Sequence, residues 1–258
     1  MARPTYTARV IVVRKTKLGE SDLILTLLAE DGSQLRAVAK GARKPKSSFA
    51  SRLELFSVAD VLCAKGRSLD VVSEARLVEG NAALRGDIEC TSAAAPIAEL
   101  VERTTQAGLE CPNLFAMTQT ALRAMCNTDA AGAPSIAAGH LLKAFAMTGV
   151  RPVLSECAAC GNTVTPLLDG SLAFSPREGG VICSQCRAHT EAGYIDAQTA
   201  EWSNFLLRST FSDIAGARMG VREAFSVLDL CQRWCLEHVG CRLRSLSFLF
   251  TSGLYESK

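Results

Sequence analysis

The sequence predicts an α+β multidomain protein, in which an N-terminal five-stranded β-barrel of the oligonucleotide/oligosaccharide-binding (OB) type precedes a C-terminal all-α domain with an inserted zinc-ribbon-like hairpin. Three observations predict this class. Residues 1–80 contain short apolar runs that end at tight-turn signals. From residue 81 onwards the apolar residues recur at helical spacing. Two Cys-x-x-Cys pairs interrupt the helical part at about 155–190. We therefore expect one domain over 1–80 and a second over 81–258.

The N-terminal part contains five candidate strands, which span 6–14, 21–30, 34–40, 53–64 and 69–78. Asp31-Gly32, between the second and third strands, is a strong signal for a short hairpin. Five short strands joined by tight turns within about 80 residues fit a small OB-type barrel. A five-stranded barrel of another topology is the alternative.

Prolines introduce the first three predicted helices. Pro96 suits the first turn of one helix, and Pro112 precedes another. The third helix spans 134–148 and ends before Gly149.

Two further helices are predicted after the cysteine hairpin. Asp196 is a candidate N-cap of the first, and Trp202, Phe205 and Leu206 are its core positions. The last helix, 221–239, is apolar on most sides, so we expect it to lie at the centre of the domain.

The two Cys-x-x-Cys pairs are Cys157/Cys160 and Cys183/Cys186, separated by the 22 residues 161–182. Four thiolates on two short turns can close a tetrahedral shell around zinc. A closed shell has no open position for water or substrate, so one Zn²⁺ with a structural role is expected. The alternatives are a redox dithiol, four free cysteines or an iron–sulfur cluster, and His189 is a possible substitute ligand.

Glycines flank both cysteine pairs. Gly161 follows the first pair and Gly179-Gly180 precedes the second, as tight backbone turns around a metal require. Asp169-Gly170 predicts a hairpin turn between two short strands around Leu167 and Phe174.

Composition indicates an ordinary globular chain: 258 residues, 48% hydrophobic and 21% charged. No apolar run is long enough for a membrane-spanning helix, and residues 1–6 lack the apolar core of a signal peptide. The eleven cysteines are an odd number, which fits a reducing compartment better than a disulfide framework. These observations predict a cytoplasmic protein without membrane contact.

Charge is divided unevenly along the chain. Residues 1–80 carry 14 Lys and Arg against 9 Asp and Glu, a net of +5, whereas the remainder has a net of −3. A basic N-terminal domain suggests an anionic partner.

The main candidate binding surface is the loop after the third strand, where Gly41 and Pro45 prevent regular structure. Its cations can neutralise successive phosphates without reading bases. The predicted DNA-binding residues are Lys40, Arg43, Lys44, Lys46 and Arg52, extended by Arg14, Lys15 and Lys17. The alternative is a solvated surface loop.

Aromatic residues are few in this part of the chain. Residues 1–80 contain only Tyr6, Phe49 and Phe56, and Phe56 is expected in the core. Binding should therefore depend on backbone charge, weaken steeply with salt and discriminate little between sequences.

A second cysteine group, Cys231, Cys235, His238 and Cys241, follows helical spacing. A second zinc site is one interpretation. Buried cysteines of a core helix around Trp234 are the favoured one, with Gly240 ending the helix.

Catalytic motifs are not visible: the chain has no phosphate-binding glycine motif, nucleophile elbow or metalloprotease helix. We therefore expect no enzyme. The alternatives to a DNA-binding protein are a zinc-ribbon adaptor whose basic loop docks an acidic protein, and a nuclease.

Several segments together resemble the bacterial RecO family of recombination mediators. They are 8–14 and 19–28, the basic loop within 37–47, the segment 53–56, the cysteine hairpin around 174–183, and the closing segment 238–246. The resemblance covers nearly the whole chain and includes members that bear zinc.

The resemblance implies a DNA-repair protein that binds single- and double-stranded DNA and anneals complementary strands. It further implies help to RecA in replacing single-stranded-DNA-binding protein, joint action with RecR, and docking of the C-terminal tail of single-stranded-DNA-binding protein on the helical domain.

Overall fold

The computed structural model describes residues 3–256. The chain forms two compact units, Met1–Gly86 with Ile97–Cys126, and Asp87–Pro96 with Asn127–Lys258. Met1 and Ala2, which belong to the segment considered for a signal peptide, lie outside the described residues. Within 3–256, no helix has the length and apolar character needed to cross a membrane.

The first unit contains a closed five-stranded barrel in the strand order β1-β2-β3-β5-β4. The strands are β1 (Thr5–Leu18), β2 (Asp22–Ala29), β3 (Gln34–Ala39), β4 (Val58–Ala64) and β5 (Asp70–Glu79). β3 and β5 pair in parallel, and the other four pairs are antiparallel. The predicted OB-type barrel is therefore confirmed, as is the Asp31-Gly32 turn between β2 and β3.

A β-bulge interrupts the pairing of β1 with β2. Val12 pairs with Leu27 and Arg14 with Thr26, so Val13 has no opposite residue. Before the bulge, Val10 and Val12 belong to the buried barrel core. After it, Lys15 pairs with Leu25, another core residue, and therefore points to the inner side of the strand pair.

β4 begins five residues later than the sequence predicted. The prediction placed a strand over 53–64, but regular pairing starts at Val58. Phe56 adopts a left-handed backbone with φ of 67°, which a strand does not accommodate. Its side chain is buried, as is that of Leu53, so this segment is apolar because it packs inward as a loop.

The prediction that Pro96 begins a helix is wrong. α2 spans Ile88–Thr104 with Pro96 inside it. The carboxylate of Asp87 accepts hydrogen bonds from the backbone N–H groups of Glu89 and Cys90, which starts the helix eight residues before the proline. The division between the two compact units falls directly after Pro96.

The first unit also contains α1 (Ala82–Gly86) and α3 (Pro112–Cys126). The second unit contains α4 (Ala133–Met147), β6 (Ser171–Ser175), β7 (Gly180–Ile182), α5 (Ser184–Arg187), β8 (Gly193–Asp196), α6 (Ala197–Arg208), α7 (Phe211–Gly216), α8 (Val221–His238) and α9 (Arg244–Thr251).

α4, not α8, is the most buried helix of the second unit. Every residue of α4 from Ala133 to Leu142 is buried, whereas α8 has one buried and one exposed face. α8 is also followed by α9, so it is not the last helix. The expectation of a central last helix was wrong. The sequence of α8 contains many apolar residues, but its cysteines and tryptophan lie on one face of the helix rather than all round it.

The cysteine hairpin forms a three-stranded sheet in the order β7-β6-β8. Asp169-Gly170 makes a turn, as predicted, and the Asp169 carboxylate accepts a hydrogen bond from the backbone N–H of Ser171. Leu167, however, lies outside any strand: the turn leads into β6, whose partners are β7 and β8. Asp196 caps α6 as predicted, by accepting from the N–H of Gln198.

Of the three core positions predicted in α6, only Leu206 is fully buried. Trp202 and Phe205 are half-buried, and their rings meet edge to face at 5.7 Å between centroids.

Candidate metal centre and nucleic-acid interface

The four cysteines of the hairpin form a cluster suited to one metal ion. The Sγ atoms of Cys157, Cys160, Cys183 and Cys186 all lie within 4.8 Å of one another. In a tetrahedral site with Zn–S bonds of about 2.3 Å, neighbouring sulfurs are separated by about 3.8 Å. The Sγ atoms of Cys160 and Cys183 are 3.7 Å apart, close to that edge and much longer than a disulfide bond. The donor set therefore fits a tetrahedral metal.

Backbone N–H groups point at the sulfurs. The N–H of Cys183 donates to Sγ of Cys157 at 3.3 Å, and that of Cys186 donates to Sγ of Cys183 at 3.5 Å. Burial alone would raise the pKa of Cys157, but the N–H groups of Cys183, Ala159 and Cys160 lower its pKa to about 6. A thiol with this pKa is readily deprotonated, as a metal ligand must be.

Local sequence explains how the cysteines come together. Gly161 has a φ of 75°, which allows its N–H to fold back onto the carbonyl of Cys157. Cys183 is the N-cap of α5, which places Cys186 one turn later. Besides Cys157 and Cys183, the buried apolar cluster of the hairpin contains only Ala173 and Ile182.

The second cysteine group forms part of the core. Cys231 and Cys235 are fully buried on α8. His238 faces the carbonyl of Pro176 at 3.0 Å, and its ring lies 4.3 Å from that of Trp234. Cys241 lies beyond the end of the helix. Among residues 3–256, the only group with clustered ligand atoms is that of Cys157.

The basic loop 40–46 is held at one mouth of the barrel. The N–H of Gly41 donates to the carboxylate of Asp22 at 2.7 Å, and the N–H of Arg43 donates to the carbonyl of Ser21 at 2.9 Å. The Arg43 guanidinium donates to the carbonyls of Gly19 and Glu20. The loop has no helix or strand, as predicted, but these bonds fix it against the β1–β2 turn.

The remaining loop cations are exposed. Lys40, Lys44 and Lys46 make no ion pair within the part of the chain that the structure describes, and neither does Lys17. The N–H of Gly41 lowers the pKa of Asp22, and the charges of Lys40 and Lys44 lower it further. Asp22, which anchors the loop through Gly41, therefore stays ionised, and the nearby Lys40 and Lys44 are exposed.

A groove of about 420 Å³ lies beside this loop, and we call it the Lys17 groove. Its floor is apolar and includes Leu23, Leu25 and Leu53, while Lys17 and Arg43 stand at its rim. Its other lining residues are Lys15, Ala39, Ala42, Phe49, Ala50 and Glu54. Phe49, which packs against the barrel core, is half-buried and lines the groove.

Besides Arg43, three of the predicted DNA-binding residues have side-chain partners within the first unit. Arg14 pairs with Glu102 at 2.7 Å and Lys15 with Glu54 at 2.7 Å. The Arg52 guanidinium donates to the carbonyl of Ala75 at 3.0 Å, away from the Lys17 groove. The structure thus brings together Lys15, Lys17, Arg43 and the loop, whereas Arg14 and Arg52 lie elsewhere.

Sequence reasoning missed the anchoring role of Asp22. The sequence does show a carboxylate directly after the β1–β2 turn. Its hydrogen-bond partner Gly41, however, lies 19 positions away, so no local pattern connects the two residues.

Comparison with known proteins gives concordant results over both parts of the chain. The family models "Recombination protein O N terminal" and "Recombination protein O C terminal" match residues 1–81 and 85–247. The chain is 33% identical over 246 residues to the DNA repair protein RecO of Desulfitobacterium hafniense (strain DSM 10664 / DCB-2), covering 94% of this chain and 88% of that protein.

Two other relatives extend this similarity. The DNA repair protein RecO of Frankia casuarinae is 34% identical over 250 residues, covering 95% of this chain and 98% of that protein. That of Dehalococcoides mccartyi (strain ATCC BAA-2266 / KCTC 15142 / 195) is 31% identical, covering 90% of each. Since the family models match both parts and these relatives cover nearly its full length, the chain belongs to the RecO family of DNA repair proteins.

Proposed function

We propose that this protein is a recombination mediator that binds single- and double-stranded DNA, anneals complementary strands, and assists RecA in loading onto DNA coated with single-stranded-DNA-binding protein. Membership of the RecO family gives it a role in DNA repair and recombination. The more specific activity is our inference from the barrel surface.

The observation that carries the proposal is the basic loop at the mouth of the barrel. Lys40, Lys44 and Lys46 are exposed and without ion partners among residues 3–256, while backbone bonds hold the loop in place. Cations already free of carboxylates can exchange small counterions for phosphates at little cost. The adjacent Lys17 groove offers an apolar floor and one aromatic ring for bases.

Annealing needs a surface that reduces repulsion between two phosphate backbones without holding the base edges. The loop supplies charge, and contacts to phosphate carry no sequence information. We propose that Lys40, Arg43, Lys44, Lys46 and Lys17 form this surface, and that Lys15, Arg14 and Arg52 contribute only if they exchange their present partners for phosphate.

The remaining roles follow from this activity. We propose that residues 1–80 are the DNA-binding domain, that 81–258 form the helical domain, and that the four-cysteine site holds one structural Zn²⁺. Under this proposal the protein is not an enzyme and acts in the cytoplasm at the nucleoid. RecR and the C-terminal tail of single-stranded-DNA-binding protein are its proposed protein partners.

The test is the annealing of complementary oligonucleotides coated with single-stranded-DNA-binding protein. We compare the native chain with the variant Lys40→Glu/Lys44→Glu/Lys46→Glu, which leaves the Arg43 anchor in place. The matched control is Arg103→Glu/Arg151→Glu/Arg208→Glu, which changes charge equally at exposed positions outside residues 1–80.

We expect the loop variant to lose annealing and the control to keep it. Each phosphate contact contributes about 0.7 to the salt slope of single-strand binding, so three lost contacts should reduce that slope by about 2. Equal annealing by all three proteins would contradict the placement of the site. If the native chain neither binds nor anneals DNA but binds an acidic peptide through the loop, the adaptor function replaces the mediator.

A further inference from the structure

We infer that the barrel binds a second segment of single-stranded nucleic acid at its opposite mouth, in a groove formed by Arg36, Lys65 and Arg67 together with Tyr6. This inference rests on the proposed DNA-binding function and adds to it a separate site. We call this second site the Arg67 groove.

The Arg67 groove has a volume of about 470 Å³ and lies at the β4–β5 turn. Arg36 and Arg67 are exposed and make no ion pair within the described part of the chain. The Lys65 ammonium lies 4.5 Å from the centroid of the Tyr6 ring. Lys65 also lies 4.0 Å from the Asp70 carboxylate, so the two arginines are the cations of the groove that have no ion partner among the described residues. Free guanidinium groups in one groove with an aromatic ring are a combination that binds phosphates and bases in single strands.

The two acidic residues of the groove are already occupied. Asp70 accepts hydrogen bonds from the Tyr6 hydroxyl and from the N–H of Gly66 at 2.9 Å. Asp31 accepts from the N–H and the hydroxyl of Ser33. Because these carboxylates accept hydrogen bonds from the turns, they do not pair with Arg36 or Arg67, and both guanidinium groups are available to an anionic ligand.

The β4–β5 turn is built rigidly. A Cβ at Gly66 would lie 1.6 Å from the carbonyl oxygen of Leu69, so only glycine fits this turn. With the Gly66–Asp70 and Asp70–Tyr6 hydrogen bonds, the turn fixes the backbone from which Lys65 and Arg67 project.

The two grooves lie at opposite ends of the β2–β3 hairpin. The Lys17 groove includes Leu23 and Ala39, which pair with each other, whereas the Arg67 groove includes Ala29 and Gln34 at the other end. Six strand positions from Leu23 to Ala29 correspond to about 20 Å. The grooves share no lining residue.

No open path joins the grooves along β1 and β2. The inner side of these strands is the barrel core, which includes Val12 and Leu27. On the outer side, Ile11 and Leu28 alternate with those core residues, yet they too have no exposed surface. A nucleic-acid segment bound at one mouth therefore cannot continue directly along β1 and β2 to the other mouth. This favours a separate nucleic-acid segment in each groove.

Electrostatics permit both segments to bind at once. At physiological ionic strength the Debye length is about 8 Å, so backbones about 20 Å apart are separated by more than two screening lengths. Each groove can thus neutralise its own strand, and the repulsion that opposes annealing in free solution is largely removed.

The experiment measures how many labelled hexathymidylate molecules one chain binds at saturation, by native mass spectrometry and by anisotropy titration. The proteins are the native chain, Arg36→Glu/Arg67→Glu, the loop variant Lys40→Glu/Lys44→Glu/Lys46→Glu, and the control Arg103→Glu/Arg208→Glu. Arg36→Gln/Arg67→Gln is the milder second variant, should the charge reversal disturb folding.

We expect two oligonucleotides per native or control chain and one per chain for either groove variant. Annealing should fall at least tenfold in the Arg36/Arg67 variants, although one oligonucleotide still binds. Two bound oligonucleotides in the loop variant, with one in the Arg36/Arg67 variant, would support the second site while contradicting the proposed role of the loop.

A single oligonucleotide per native chain would overturn the inference. So would two oligonucleotides on folded Arg36→Glu/Arg67→Glu with unchanged annealing. If that variant keeps both oligonucleotides but loses binding of a labelled hexaglutamate peptide that the native chain binds, the groove takes an acidic peptide and the inference is again overturned.

Discussion

Removing the proposed zinc ion from the four-cysteine site should destabilise the hairpin while leaving the barrel intact. The perturbation is Cys157→Ala/Cys183→Ala, with chelation of the native chain as a second route. These two cysteines are also the largest part of the buried cluster of the hairpin, whose other members are Ala173 and Ile182.

The expected magnitude follows from this small cluster. Burial of an isoleucine side chain stabilises by about 1.5–3 kcal/mol, and alanine contributes less. Structural zinc binding supplies about 10–16 kcal/mol at neutral pH. Metal binding would therefore outweigh the apolar contacts of this cluster several-fold. Leu172, Phe174 and Val181 of the same strands are buried as well, so we expect loss of the metal to destabilise the β6–β7 ladder rather than to abolish its contacts.

The assay is hydrogen exchange of backbone amides, with metal content measured on the same samples. Amides of β6 and β7 should lose protection in the metal-free protein, including that of Val181, whose N–H donates to the carbonyl of Val153 at 2.9 Å. Amides of β1 and β2 should keep theirs, and oligonucleotide binding should be partly retained. Cys231→Ala is the control, because it removes a buried thiol from α8 and should leave the metal content unchanged.

Full protection of the β6–β7 amides in protein shown to contain no metal would refute this reasoning. The same conclusion would follow if Cys157→Ala/Cys183→Ala kept one tightly bound zinc per chain.

Three further predictions concern stability. Trp234→Phe should lower the free energy of unfolding by about 1–3 kcal/mol in urea denaturation, because a buried carbonyl loses the indole N–H that bonds to it at 2.8 Å; an unchanged midpoint would contradict this. Asp60→Asn should cost about 1 kcal/mol at pH 7. The Arg9 guanidinium lowers the pKa of Asp60, so the carboxylate stabilises the fold at pH values above its ordinary pKa of 3.8. The difference in unfolding free energy between the variant and the native chain should shrink as pH falls below 3.8. A difference that is constant from pH 7 to 3 would exclude this origin. Gly180→Ala should disrupt β7, since a Cβ there would lie 1.9 Å from the carbonyl oxygen of Val153, and near-native melting of that variant would show that the backbone can shift to make room.

The sequence predicted the barrel well because its strands are bounded by strong turn signals. The strand that went wrong contains Phe56, whose left-handed backbone no propensity indicates. In the helical part, Pro96 was placed at a helix start because proline is costly inside a helix. The Asp87 cap was the better signal, and its two N–H partners are only two and three residues away.

The clustering of the four cysteines was predictable because each pair is local and its spacing determines its geometry. The cationic surface was predictable only in part. Whether a lysine or arginine is free depends on carboxylates far away in the chain: Glu102 lies 88 positions from its partner Arg14, and Glu54 lies 39 positions from Lys15. No local sequence pattern indicates such ion pairs. The sequence therefore identified the loop but could not separate cations that pair with a carboxylate from cations that do not.

The bulge at Val13 decides which cations face the barrel mouth. If β1 paired with β2 without interruption, Arg14 and Thr16 would face inward, and Lys15 and Lys17 would point to the opposite side. Which cations contribute to the proposed DNA-binding surface is therefore set by one unpaired residue of the backbone rather than by the number of basic residues. A single-residue insertion or deletion near this point should change the ligand preference of the barrel more than most charge substitutions, even though the net charge would stay the same.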